Sequence, residues 1–159
     1  MRDTLNLHAS CVAIGSGAIL LLGESGFGKS DLALRLIDRG AKLVSDDQVS
    51  LVKSDKQIIA SSATNIAGLL EIRGAGIFKL EYKNDVVVRL VVNLVSRENI
   101  ERLPYPQQYE CMGITFPQIN ICPFDISSAI IVEMALASLS NHSMMVGALQ
   151  EGKLTVEER

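Results

Sequence analysis

The sequence predicts an α/β fold: a phosphate-loop domain with a central mixed β-sheet flanked by helices. Three observations lead there. An apolar run, Ala18 to Leu22, feeds directly into Gly23-Glu24-Ser25-Gly26-Phe27-Gly28-Lys29-Ser30, which fits the pattern G-x-x-x-x-G-K-[ST]. A segment of helical character follows that loop at once. Short apolar, β-branched runs separated by turn residues fill most of the remaining chain. With 159 residues and 48% hydrophobic content, the chain can bury one sizeable core and is short for two. A single domain over residues 1–159 is expected.

Each element has a local reason. Leu5 to Ile14 alternates weakly, and Gly15-Ser16-Gly17 turns it into Ala18–Leu22, so a β-hairpin enters the loop. Asp31 to Arg39 reads as a helix with an acid at its start and an arginine at its end, and Gly40 stands where a C-cap belongs. Lys42 to Ser45 is a short strand ending in Asp46-Asp47. Val49 to Val52, the polar Ser54-Asp55-Lys56 turn and Ile58-Ile59 form a second hairpin. Leu69 to Ile77 lies between turn-rich stretches, and Asp85 to Val95 is a long Val-rich strand. Four prolines between Pro104 and Pro123 exclude a helix there, while Met112–Phe116 and Ile119–Ile121 can pair as a hairpin. Asp125 or Ser127 can cap a last helix from about Ile126 to His142, so apolar around its circumference that it suits either the core or an oligomer contact.

Composition excludes several functions. The formal charge is −3 with Lys and Arg scattered, which gives no nucleic-acid footprint, and no Trp and few aromatics are present for base stacking. No apolar stretch reaches the length of a membrane span, and Met1-Arg2-Asp3 is not followed by a leader's apolar region. Cys11, Cys111 and Cys122 are odd in number and lack C-x-x-C spacing, so they suit reduced thiols in a cytoplasm better than a disulfide framework or a zinc site.

The chemistry is carried by the loop and three acids. Residues 23–30 can turn their backbone N–H groups around a β-phosphate, Lys29 can reach the β and γ oxygens, and the Ser30 hydroxyl can ligate Mg²⁺. Asp46 ends an apolar strand, where a carboxylate can serve the metal, and Asp47 beside it can accept a proton from an attacking hydroxyl. Glu71 can supply a further metal ligand. His8 lies on the outer strand of the hairpin that delivers the loop, within range of the phosphates or the acidic pair. Arg102 suits charge on a transferring phosphoryl group. Taken alone, the Asp pair equally suits a solvated turn, Glu71 an exposed strand end, His8 a packed or solvated ring, and Arg102 a surface cation.

In this order, His8, Gly23 to Ser30, Asp46-Asp47, Leu70-Glu71-Ile72-Arg73-Gly74-x-Gly76-Ile77 and Arg102 resemble the catalytic domain of the HPr kinase/phosphorylase family. These bacterial enzymes phosphorylate a seryl hydroxyl of the phosphocarrier protein HPr. The likeness runs from about Leu5 to the last helix. It implies a phosphoenolpyruvate carboxykinase-like fold, ATP and Mg²⁺ as cofactors, HPr or an HPr-like protein as partner, a homo-hexamer, and a place in phosphotransferase-system regulation of carbohydrate metabolism. By position it implies His8 in the active site, residues 23–30 as the ATP loop, Ser30 and Glu71 as metal ligands, Asp47 as proton acceptor and Arg102 as catalytic. Residues 70–79 would serve both phosphorylation and dephosphorylation. Long members carry an additional N-terminal domain, so this chain resembles the short form of some proteobacteria. They also place Gly-Arg-Asn before the final helix, where this chain reads Cys122-Pro123-Phe124-Asp125-Ile126-Ser127-Ser128. That departure weakens the expectation of reverse phosphorolysis more than that of the kinase reaction.

Two other classes share the loop. A small-molecule kinase of the nucleoside or shikimate type usually carries an Arg-rich lid, and no Arg cluster lies downstream. A non-catalytic ATP-sensing module needs only the loop. A GTPase would need Asn-Lys-x-Asp, which Lys83-Asn84-Asp85 is not, and a transporter ATPase its Leu-Ser-Gly-Gly-Gln signature.

Overall fold

The computed structural model describes residues 3–145. It opens with β1 (Thr4–Leu7) and β2 (Ser10–Ile14), where the sequence suggested one strand. The chain breaks at His8-Ala9 because the two halves take different partners. β2 pairs antiparallel with β3 (Gly17–Leu22) and, on its other edge, with β4 (Lys42–Ser45), while β1 pairs with β5 (Val49–Ser54). β5 and β6 (Gln57–Ser62) form the expected hairpin, and β6 in turn meets β9 (Val86–Leu94). β9 is the hub of a nine-stranded mixed sheet. It runs parallel to β3 along one edge, and its other edge is shared between β6 at the start and β11 (Ile114–Ile121) at the end. Between β6 and β9, β7 (Leu69–Ile72) and β8 (Gly76–Lys79) make a separate two-stranded sheet that packs on the first helix.

The region of four prolines departs from expectation. β10 (Gln107–Cys111) pairs with all of β11 up to Gln118, and the turn is Met112-Gly113, with φ of 49° and 79°. Positive φ at both positions matches the twist of a two-residue hairpin, so the strand continues through Pro117 instead of turning there. Pairing of β11 with β9 begins only at Gln118, so the missing N–H of Pro117 costs nothing on that side.

α1 spans Lys29–Asp38, so the last two residues of the loop motif belong to the helix. It ends as the sequence suggested: Gly40 (φ 113°) donates to Ile37 O at 3.0 Å and Ala41 to Leu36 O at 3.0 Å, the paired bonds of a Schellman motif. α2 spans Ser128–Ser140, shorter than expected at both ends. Ser127 stands at its N-cap without a side-chain capping bond, and the Asp125 carboxylate, the other candidate cap, pairs with Arg97 instead.

Strand alternation divides the core in two. Val12, Ile19, Leu21, Leu90 and Val92 point to one face and pack against Leu32, Leu36, Ala129, Val132 and Ala135, so both helices cover that face. Cys11, Ala18, Leu20, Val88 and Val91 point the other way and meet Val49, Leu51, Ile58 and Phe116 from the outer strands. α2 therefore buries a narrow seam of Ser128, Ala129, Val132, Ala135 and Ser138 and leaves Ile130, Ile131 and Met134 exposed, with Ile126 exposed just before it. All three cysteines are buried and free. No helix among the described residues is long and apolar enough to cross a membrane.

Candidate functional site

β3 delivers the loop and α1 receives it. Gly28 sits at the helix N-cap with φ 90°, a conformation that L side chains rarely adopt, and its carbonyl accepts the Leu32 N–H at 2.9 Å. A turn closed by Phe27 N–H to Glu24 O (3.0 Å) shapes the loop before it. Lys29 is only 4% exposed, and its Nζ donates to Gly23 O at 2.7 Å and Glu24 O at 3.1 Å. Among the described residues no carboxylate pairs with it, so the loop carries an unneutralised cation beside a helix N-terminus. Such a constellation attracts phosphate groups.

The acids are placed by the sheet. Register pairs Cys11 of β2 with Ser45 of β4, which sets Ser10 beside Asp46, while β2 also pairs with the strand feeding the loop. Asp46 is 6% exposed, and its Oδ1 accepts both Ser10 Oγ and Ser30 Oγ at 2.8 Å. The hydroxyl of the loop is thus bonded to the strand-end acid, with Oδ2 left over for another partner. Asp47 is exposed and held in a tight turn: its φ is 61°, and Gln48 N–H bonds Asp46 O across it at 2.7 Å. A non-glycine residue kept in this region costs on the order of 1–3 kcal/mol, a strain that persists where the surroundings enforce it. Here Ala9 N–H donates to Asp47 O at 3.1 Å, Asp47 N–H to Ser10 Oγ at 3.4 Å, and Ser45 Oγ to Gln48 O.

Two hydrogen-bonded sets therefore meet at the start of α1, Lys29 with Gly23 and Glu24 and Ser30 with Asp46 and Ser10, and Asp47 borders the second. His8 is exposed and adjoins it through the backbone of its neighbour Ala9. Ser25, Gly26 and Phe27 complete the loop. Glu71 is not brought into either set: it is exposed on β7, in the separate small sheet. Arg102 is exposed between the 3-10 turn Arg97–Asn99 and β10, with no hydrogen bond or ion pair among the described residues. Nor do the described residues hold a group of three or more His, Cys, Asp or Glu suited to a metal ion. A metal there would instead draw on the Ser30 hydroxyl and the Asp46 carboxylate, an oxygen donor set that suits Mg²⁺ with waters and phosphate oxygens completing the shell.

Sequence reasoning missed Ser10. The available signal was a lone hydroxyl within a buried apolar strand, since a buried hydroxyl must find a partner. Pro123 and Phe124, which lean on the loop, were also missed; the rings of Phe27 and Phe124 meet in a tilted contact with centroids 5.7 Å apart. Cys11, next to Ser10, is no rival nucleophile: burial pushes its thiol far above the ordinary range, and a backbone hydrogen bond from Ile19 offsets little of this.

A strand, a glycine-cornered loop and a helix, with the acid of a nearby strand bonded to the loop's serine, define a phosphate-loop protein. Within that class the particular kind is fixed by comparison. The family model described as HPr Serine kinase C-terminal domain matches residues 1–154, and the chain belongs to this family. Similar proteins include an HPr kinase/phosphorylase from Lactobacillus acidophilus, 31% identical over 89% of this chain and 48% of the relative. Another from Clostridium botulinum is 48% identical over 72% of this chain and 41% of the relative. The chain spans about half the length of the curated relatives it matches. Among solved structures, the Hpr(Ser) kinase/phosphatase from Coxiella burnetii matches with a TM-score of 0.74 and 28% identity, covering 88% of this chain and 91% of that one. The fold expected from the sequence is the fold of this family.

Proposed function

We propose that this chain is an ATP-dependent protein serine kinase that acts in the cytoplasm on HPr or an HPr-like phosphocarrier. The observation that carries the reading is the bonded pair Ser30 and Asp46 at the mouth of the loop, in a chain of this family. In the proposed reaction a seryl oxygen attacks the γ-phosphorus, the bond from that phosphorus to the β,γ-bridging oxygen breaks, and ADP leaves. Lys29 and the loop amides bind the phosphates and hold the γ group in line. Asp47, exposed and fixed by its turn, accepts the seryl proton. Bound Mg²⁺ would neutralise charge on the β and γ oxygens, held by Ser30 and Asp46. Glu71 as a further metal ligand, His8 beside the acids and Arg102 on the developing charge complete the assignment, and these three rest on the family likeness. So does a homo-hexamer, which the exposed apolar side of α2 supports and which light scattering tests: a monomer at working concentration overturns it.

Incubation of the protein with Mg-ATP and HPr, followed by mass mapping of the modified residue, tests the function. Phosphoserine on HPr is expected. ATP binding without transfer would leave an ATP-sensing module, and transfer only to a small acceptor would leave a small-molecule kinase. Ser10→Ala should raise the Mg²⁺ concentration for half-maximal Mg-ATP binding by about 10-fold, since removing a partner that orients a metal-binding carboxylate typically costs that much. Magnesium titrations of the variant and the parent check this.

A further inference from the structure

We propose that Arg35 is a positioning residue for the phosphate loop, acting through the segment 123–128 that precedes α2. The inference rests on the nucleotide reading above. Arg35 lies on α1, and its guanidinium joins two elements about ninety residues apart in sequence. Nη1 donates to Ser128 Oγ at 2.6 Å and Asp125 O at 3.4 Å, Nη2 donates to Pro123 O, and Nε donates to Asp31 Oδ2 at 3.1 Å. Ser128 Oγ lies 2.9 Å from Asp125 O and 3.2 Å from Pro123 O, so the same three residues bond among themselves. The segment is thereby drawn onto α1, and Arg97 pairs with the Asp125 carboxylate.

What the segment touches gives the clamp its purpose. A Cβ placed on Gly28 would lie 3.2 Å from Pro123 Cβ and 3.6 Å from Phe124 Cε1, so Pro123 closes directly over the glycine that must hold positive φ. The Phe124 ring packs against that of Phe27 at a tilt of 59°. The two loop residues just before Lys29 are thus backed by a segment whose position Arg35 sets. With every nitrogen of its guanidinium engaged on Asp31 or the segment, Arg35 is not directed at a ligand. A planar fork can bridge a hydroxyl and a carbonyl at once, which the single ammonium of lysine cannot reproduce in the same geometry.

Calorimetric titration with Mg-ATP of the parent protein, R35A, R35K, F124A and R35A/F124A tests the clamp. R35A and F124A are each expected to weaken binding by roughly 10-fold, the scale on which residues without ligand contact modulate a site through packed neighbours. R35K should resemble R35A, and the double variant should stay within about twofold of either single, because both act through one contact. Wild-type affinity in R35A overturns the proposal. Full rescue by R35K would reduce Arg35 to a charge, and multiplicative losses in the double variant would make the two residues independent; either result also overturns it. Phe124 is 66% exposed, so its truncation leaves the core intact, and unchanged binding by F124A alone is decisive should R35A not fold. A parent protein that binds Mg-ATP while R35A binds equally well sinks only the clamp. A parent that binds none sinks the nucleotide reading and the clamp with it.

Discussion

Asp47→Asn is expected to lower turnover of phosphoryl transfer by about 10²–10⁴-fold, the range for loss of a general base. Mg-ATP binding should stay nearly unchanged. Asparagine is isosteric with aspartate and tolerates positive φ about as well, so the turn at φ 61° and its bonds to Ala9 and Gln48 survive the exchange. Only the capacity to take a proton is removed. Asp46→Asn would act differently, because that carboxylate is buried and already accepts two hydroxyls. Transfer of labelled γ-phosphate to HPr, measured beside calorimetric ATP binding, separates the two acids. Retained turnover in the Asp47 variant would remove it from the role of base.

Lys29→Met should abolish useful Mg-ATP binding and reduce transfer by about 10²–10³-fold or more, the usual cost of one donor aimed at transition-state charge. The substitution keeps the length and most of the volume of the side chain. In the free protein Lys29 is buried against two carbonyls with no carboxylate partner among the described residues, a costly arrangement for an ammonium group. Its removal should therefore leave the melting temperature unchanged or raise it, a loss of function without loss of stability. Thermal melts and ATP titrations of the same preparation check both halves. Undiminished ATP affinity would show that the loop holds no phosphate.

The parts of this protein that its sequence determines alone are those whose causes lie within a few residues. β3, the loop and α1 are legible because strand apolarity, the glycine spacing and the cap at Gly40 each act on their own backbone. The Asp46-Asp47 pair is legible because it ends a short apolar strand. Tertiary structure alone decides which strands meet. The break at His8-Ala9 exists because β1 and β2 are claimed by different partners, and the hairpin at Met112-Gly113 passes through Pro117 because β9 waits only from Gln118 onward. Ser10 likewise becomes part of the site only through the register of β2 against β4, which brings its hydroxyl to a carboxylate thirty-six positions away. Local preference fixes φ and ψ residue by residue, whereas pairing is a competition among distant segments for the same edge, and no single stretch of chain contains the answer.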